Sequence, residues 1–156
     1  MNKKLGLAVI TVLLCLLLIG CSEAVYIKAG DTSYEITGVR IEDEYAEEAS
    51  PPGYQFLLVQ AKSSHADMEL MEQTFFPLEG TRPTVYDGTD TVTCKSVTYA
   101  AEGSSQSPDI TAILLFQVPV LFGEQFTLTG EAFGSVSLTS SQSAMDSIKE
   151  VFQGSN

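Results

Sequence analysis

Basic residues, histidine and usable cysteines are all scarce in this chain. Lys and Arg number 8 against 20 Asp and Glu, for a net charge of −12. The basic footprint that phosphate backbones require is missing, so no nucleic-acid partner is expected. Histidine occurs once, as His65, which leaves a hydrolytic triad or a Cys–His pair a single possible base. Of the 3 cysteines, Cys15 and Cys21 fall in the N-terminal stretch, so Cys94 alone remains in the body and no internal disulfide can form. No apolar run reaches the ~20 residues that cross a bilayer. The longest, residues 5–19, has the length of an export-signal core behind Lys3 and Lys4.

That run ends in Leu18, Ile19, Gly20 and Cys21. This is a lipobox: aliphatic, small or aliphatic, glycine, then the cysteine whose sulfur receives a diacylglycerol before cleavage after Gly20. Cys15 lacks the small residue before it and is discarded with the signal. The expected organisation is a signal peptide at 1–20, a lipidated N-terminus and short tether at 21–24, a β-domain at 25–140 and a helical tail at 141–156. Two acyl chains on Cys21, at ~0.8 kcal/mol per buried methylene, would hold the protein stably on the extracytoplasmic face of the membrane. Losing Lys3 and Lys4 leaves 6 basic against 20 acidic residues, or −14, so lipid and not charge is expected to do the holding.

The mature chain reads as mostly β. Residues 25–27 open a short strand, and alternation through Tyr34, Ile36, Val39 and Ile41 is interrupted at Gly38, where a bulge is expected. Residues 54–61 (YQFLLVQA) are apolar enough to be buried on both faces and predict a central strand; 110–120 (ITAILLFQVPV) predict a second, with Pro119 at its exit. Asp87-Gly88 predicts a hairpin turn, and Phe126, Leu128, Phe133, Val136 and Leu138 a terminal hairpin about Gly130 or Gly134. Residues 91–99 read as one strand with Cys94 on one face, whereas 42–53, with five carboxylates, two prolines and a glycine, and 100–108 read as loops. Ala144, Ile148, Val151 and Phe152 recur at helical spacing and predict a helix over 143–153.

Gly53, Tyr54, Gln55, Phe56, Leu57, Leu58 and Val59, together with Phe116, Gln117, Val118, Pro119, Phe126 and Leu128, resemble the glycine-led central strand and the late Phe-x-Val-Pro strand of a known family. It comprises small Gram-positive lipoproteins and secreted antigens built on an immunoglobulin-like domain of unknown function. The resemblance spans roughly residues 34–138. It implies an all-β, immunoglobulin-like antiparallel β-sandwich at the cell surface, with no established catalysis and no functional residue to transfer.

Few residues offer site chemistry. The acidic stretch 42–48 could serve Ca²⁺ as a hard, oxygen-seeking cation, but it has no Asp-x-Asp-x-Asp-Gly ladder and reads first as a solvated loop. Asp87 and Asp90 flank a turn in which aspartate is favoured for turn reasons alone. His65, Met68 and Met71 combine imidazole and thioether, the ligands that select copper; at strand spacing the two methionines point to opposite faces, and methionine commonly fills cores. Cys94 reads as a buried structural thiol. The expectation is therefore a non-enzymatic, lipid-anchored lipoprotein without a cofactor, binding a protein or envelope component through its loops. The alternative is an extracytoplasmic carrier of a small ligand, copper or calcium.

Overall fold

The computed structural model describes residues 24–64, 67–102 and 109–142. The chain folds as two antiparallel sheets packed face to face. The first contains β1 (Tyr26–Ala29), β2 (Thr32–Glu42), β5 (Tyr54–Ser63), β9 (Asp109–Pro119) and β8 (Ser96–Glu102), in the order β1-β2-β5-β9-β8. A two-residue strand, β12 (Ser141–Gln142), adds in parallel to β2. The second sheet has the order β11-β10-β6-β7, from β6 (Thr84–Tyr86), β7 (Thr91–Thr93), β10 (Gln125–Gly130) and β11 (Gly134–Thr139). The expected bulge is present: the β2–β5 register shifts between Ile36 and Gly38. A Cβ at Gly38 would meet Gln60 Oε1 at 2.8 Å, so glycine lets the Gln60 side chain lie across the bend.

Strand β5 is central and buried on both sides. Leu57, Val59 and Ala61 face inward with Leu114, Phe116 and Val118 of β9, against Val85, Phe126, Leu128 and Leu138 of the second sheet. Each large side chain taken from water here contributes roughly 1.5–3 kcal/mol. On the outer face Phe56, Leu58 and Leu115 form a second cluster, with Tyr45 and Ile113 packed on it.

Tyr45 reaches that cluster because the acidic stretch is not a loop throughout. It contains a small hairpin, β3 (Glu44–Tyr45) paired with β4 (Glu48–Ala49), closed by Ala46 and Glu47 at φ 52° and 66°. Positive φ at both central residues is the geometry of a type I′ turn. Lys95 straps the hairpin down, with Nζ 3.2 Å from Glu48 Oε1 and 5.5 Å from the centre of the Phe56 ring.

Residues 91–99 are not one strand either. The Cys94 N–H donates to Pro83 O at 2.8 Å and the Lys95 N–H to Leu115 O at 2.7 Å, so the chain changes sheets between these two residues. The alternation resets at the crossing, which brings Cys94 as well as Val97 and Tyr99 to the core. Residues 100–102, read as loop, extend β8. The expected signal at 1–20, Cys21, His65 and the helix over 143–153 lie outside the described residues. Among the described residues no helix is long and apolar enough to cross a membrane.

Candidate functional site

The stretch after β5 is helical, which corrects the strand spacing used to place the two methionines. Helix α1 (Met68–Phe75) starts at Asp67, whose Oδ1 accepts the Leu70 N–H at 2.8 Å, and it is stopped by Pro77. Met71, Thr74 and Phe75 are buried, plugging the end of the sandwich between the sheets. Phe75 meets Tyr34 edge-on at 5.0 Å and Phe133 at 5.8 Å. The Thr74 hydroxyl donates to Leu70 O at 2.7 Å, so the Tyr34 hydroxyl, 3.1 Å from Thr74 Oγ1, is the donor in that pair.

The copper candidates divide. Met71 is fully enclosed in the core, Met68 is exposed, and His65 lies outside the described residues. A shared site would require Met71 to leave its packing. Asp87 has a different task from metal binding: its carboxylate accepts the N–H groups of Thr89, Asp90 and Gly123, each at 2.8 Å. These bonds tie the β6–β7 turn to the β9–β10 connection and hold the carboxyl below its ordinary pKa. Among the described residues no group of three or more His, Cys, Asp or Glu side chains stands close enough to hold a metal ion. Cys94 is buried, its Sγ donates to Ser96 O at 3.3 Å, and desolvation pushes its thiol up to about 11.

A recess with a mostly apolar lining flanks α1. An apolar groove of about 620 Å³ lies between the outer side of the helix, the segment that leaves it and Tyr99 of β8. This falls within the roughly 300–1,000 Å³ typical of binding sites. Phe76, Pro77 and Leu78 form its apolar wall, and Leu78 is completely exposed. Glu69, Glu72 and Glu79 stand on the rim, with Gln73 Nε2 donating to Glu69 Oε1 at 3.2 Å. Arg82 lies 4.4 Å from the centre of the Phe76 ring.

Tyr99 lines the groove, and its hydroxyl is enclosed and has no hydrogen-bond partner. Desolvation, with Glu72 nearby, raises that phenol to about 12, so it stays neutral and keeps its proton. Sequence reasoning missed this groove because Tyr99 and α1 meet only in three dimensions. The helix itself had a signal: Asp67 as a cap, Glu69 in the first turn, and Met71 and Phe75 four residues apart.

No protein-family model, curated protein or solved structure matches the chain significantly.

Proposed function

We propose that this is a non-enzymatic lipoprotein, cleaved after Gly20 and acylated on Cys21, whose immunoglobulin-like domain binds a protein or envelope component on the extracytoplasmic face of the membrane. The lipobox supports the location. The immunoglobulin-like reading is supported by strand order. Labelling β2, β5, β6, β7, β8, β9, β10 and β11 as A, B, C, C′, D, E, F and G turns the two sheets into A-B-E-D and G-F-C-C′. The B–F disulfide of antibody domains has no counterpart, since Cys94, on the β7–β8 crossing, is the free cysteine of the described residues. The family resemblance stated for residues 34–138 points the same way.

The observation that carries the binding role is the groove beside α1, an exposed apolar surface on a rigid scaffold end. A photoreactive side chain at position 78 on intact cells is expected to form an adduct that the same probe at exposed Tyr26 does not. Equal adducts from both positions, or none from 78, would refute the groove as the binding face. Mass spectrometry of the native protein tests the anchor separately, and a free thiol at Cys21 would end that half of the reading.

A further inference from the structure

Three cations of the fold are paired away from the groove. Arg40 faces Glu42 at 3.9 Å, Lys62 pairs with Asp109 at 2.8 Å and Lys95 with Glu48 at 3.2 Å. Arg82 is stacked on Phe76 at the groove wall and forms an ion pair with none of the rim carboxylates. Among the described residues no ion pair reaches Glu69, Glu72 or Glu79. Three exposed carboxylates thus border an apolar wall without an ion-pair partner among the described residues, and the wall ends in the fully exposed Leu78.

We infer that the groove takes a short polypeptide segment of a protein partner in which apolar side chains alternate with lysine or arginine. This rests on the reading of the groove as the binding face and names its occupant. The apolar side chains would cover Phe76 and Leu78, and the cations would meet the rim. Other occupants match fewer of these features. An anionic leaflet or a nucleic acid would be repelled by the rim. An uncharged apolar ligand would bring the carboxylates into a drier surrounding with nothing to offset the loss of hydration. A small free cation would leave the apolar wall wet.

Binding of this kind weakens with salt, because opposite charges at a rim are screened within a Debye length. It is tested with the full chain in phosphatidylcholine nanodiscs, with empty nanodiscs as blank. The probe is a labelled short peptide of lysine alternating with leucine and phenylalanine, read by fluorescence anisotropy beside versions carrying glutamine or glutamate for lysine. The lysine peptide is expected to bind, the glutamine version about tenfold more weakly, and the glutamate version not at all. Combining Glu69→Gln, Glu72→Gln and Glu79→Gln is expected to weaken the lysine peptide by about tenfold while leaving the glutamine version unchanged. Leu78→Ser is expected to weaken both.

Glu44→Gln, Glu47→Gln and Glu124→Gln remove the same charge from the opposite end. An equal loss there would mean that net charge alone attracts the peptide, and the inference fails. Equal binding of glutamine and lysine versions, abolished by Leu78→Ser, would keep the groove as the binding face and overturn the cationic occupant. The same holds if no peptide binds while the position-78 adduct persists on cells.

Discussion

Tyr34 and Tyr99 should respond in opposite directions to the same chemical change, Tyr→Phe. Tyr34 is fully buried and its hydroxyl donates to Thr74 Oγ1 at 3.1 Å, so Tyr34→Phe loses a net bond and leaves the threonine lone pair less satisfied. The expected cost is about 1 kcal/mol. The Tyr99 hydroxyl is enclosed without a partner. Burying a hydroxyl in that state costs roughly 1–3 kcal/mol in protein mutational data. Tyr99→Phe removes the cost and leaves a void of one oxygen atom, worth a few tenths of a kcal/mol at ~24 cal/mol per Å³. Net stabilisation of about 1 kcal/mol is expected, and the two variants should differ by about 2 kcal/mol. Both remove the same atom from the same residue type, so unfolded-state effects largely cancel. Urea unfolding followed by far-ultraviolet circular dichroism measures both. If Tyr99→Phe is destabilised as much as Tyr34→Phe, the hydroxyl has a partner in solution and the orphan-donor argument is wrong.

Further outcomes follow from the geometry at three positions. Removing the Asp87 carboxylate (Asp87→Ala) should lower stability at neutral pH, because three N–H groups lose their acceptor. Its folded pKa lies below the ordinary 3.8, so the stabilisation is present above that value and fades as pH falls through the folded pKa. Urea midpoints of the two proteins should converge in acid, and a constant gap would contradict this. Cys94, with its thiol pushed up to about 11, should resist iodoacetamide at pH 8 while folded and react once unfolded, as read by mass. The same raised pKa makes stability fall as pH rises from 9.0 towards about 11, and Cys94→Val should flatten that slope. Ala46→Asn, at φ 52°, should stabilise the β3–β4 hairpin by up to about 1 kcal/mol, since asparagine tolerates the left-handed region. An unchanged melting temperature would remove strain from the account of that turn.

The parts of the fold readable from sequence are those whose composition admits one environment. Phe56, Leu57, Leu58 and Val59 cannot face water in succession, so a strand covered on both sides was the available solution, and β5 is that strand. Gly38 marked the bulge for an equally local reason. What escaped was decided by contacts between distant segments. Tyr45 is one aromatic among carboxylates, and only the apolar outer face of β5 and β9 explains why its hairpin lies down. The change of sheet after Cys94 is invisible because valine, threonine and tyrosine alternate equally well on either side of it. Helix α1 spans 8 residues and would not persist alone; it exists because Phe75 fits between Tyr34 and Phe133. The groove inherits that non-locality.

Chain direction connects the proposed anchor to the proposed binding face. Strand β1 runs from Tyr26 to Ala29 and turns into Thr32 at the end of the sandwich plugged by α1. Ala24 and Val25 share a recess with Gly38 and Val39, midway along β2. The chain therefore arrives from the direction of the opposite end, where Leu121 stands exposed between β9 and β10. Cys21 lies three residues before Ala24, a reach of at most about 11 Å. An acyl group there would draw that edge and far end towards the bilayer, leaving the groove open to the outside. Single introduced cysteines can report the orientation, because Cys94 is buried and an acylated Cys21 has no thiol. On intact cells Leu78→Cys should react with a bulky maleimide polymer faster than Leu121→Cys, and the two rates should approach each other once detergent releases the protein. If position 78 is the protected one, the groove faces lipid, and a soluble cationic segment could not reach it.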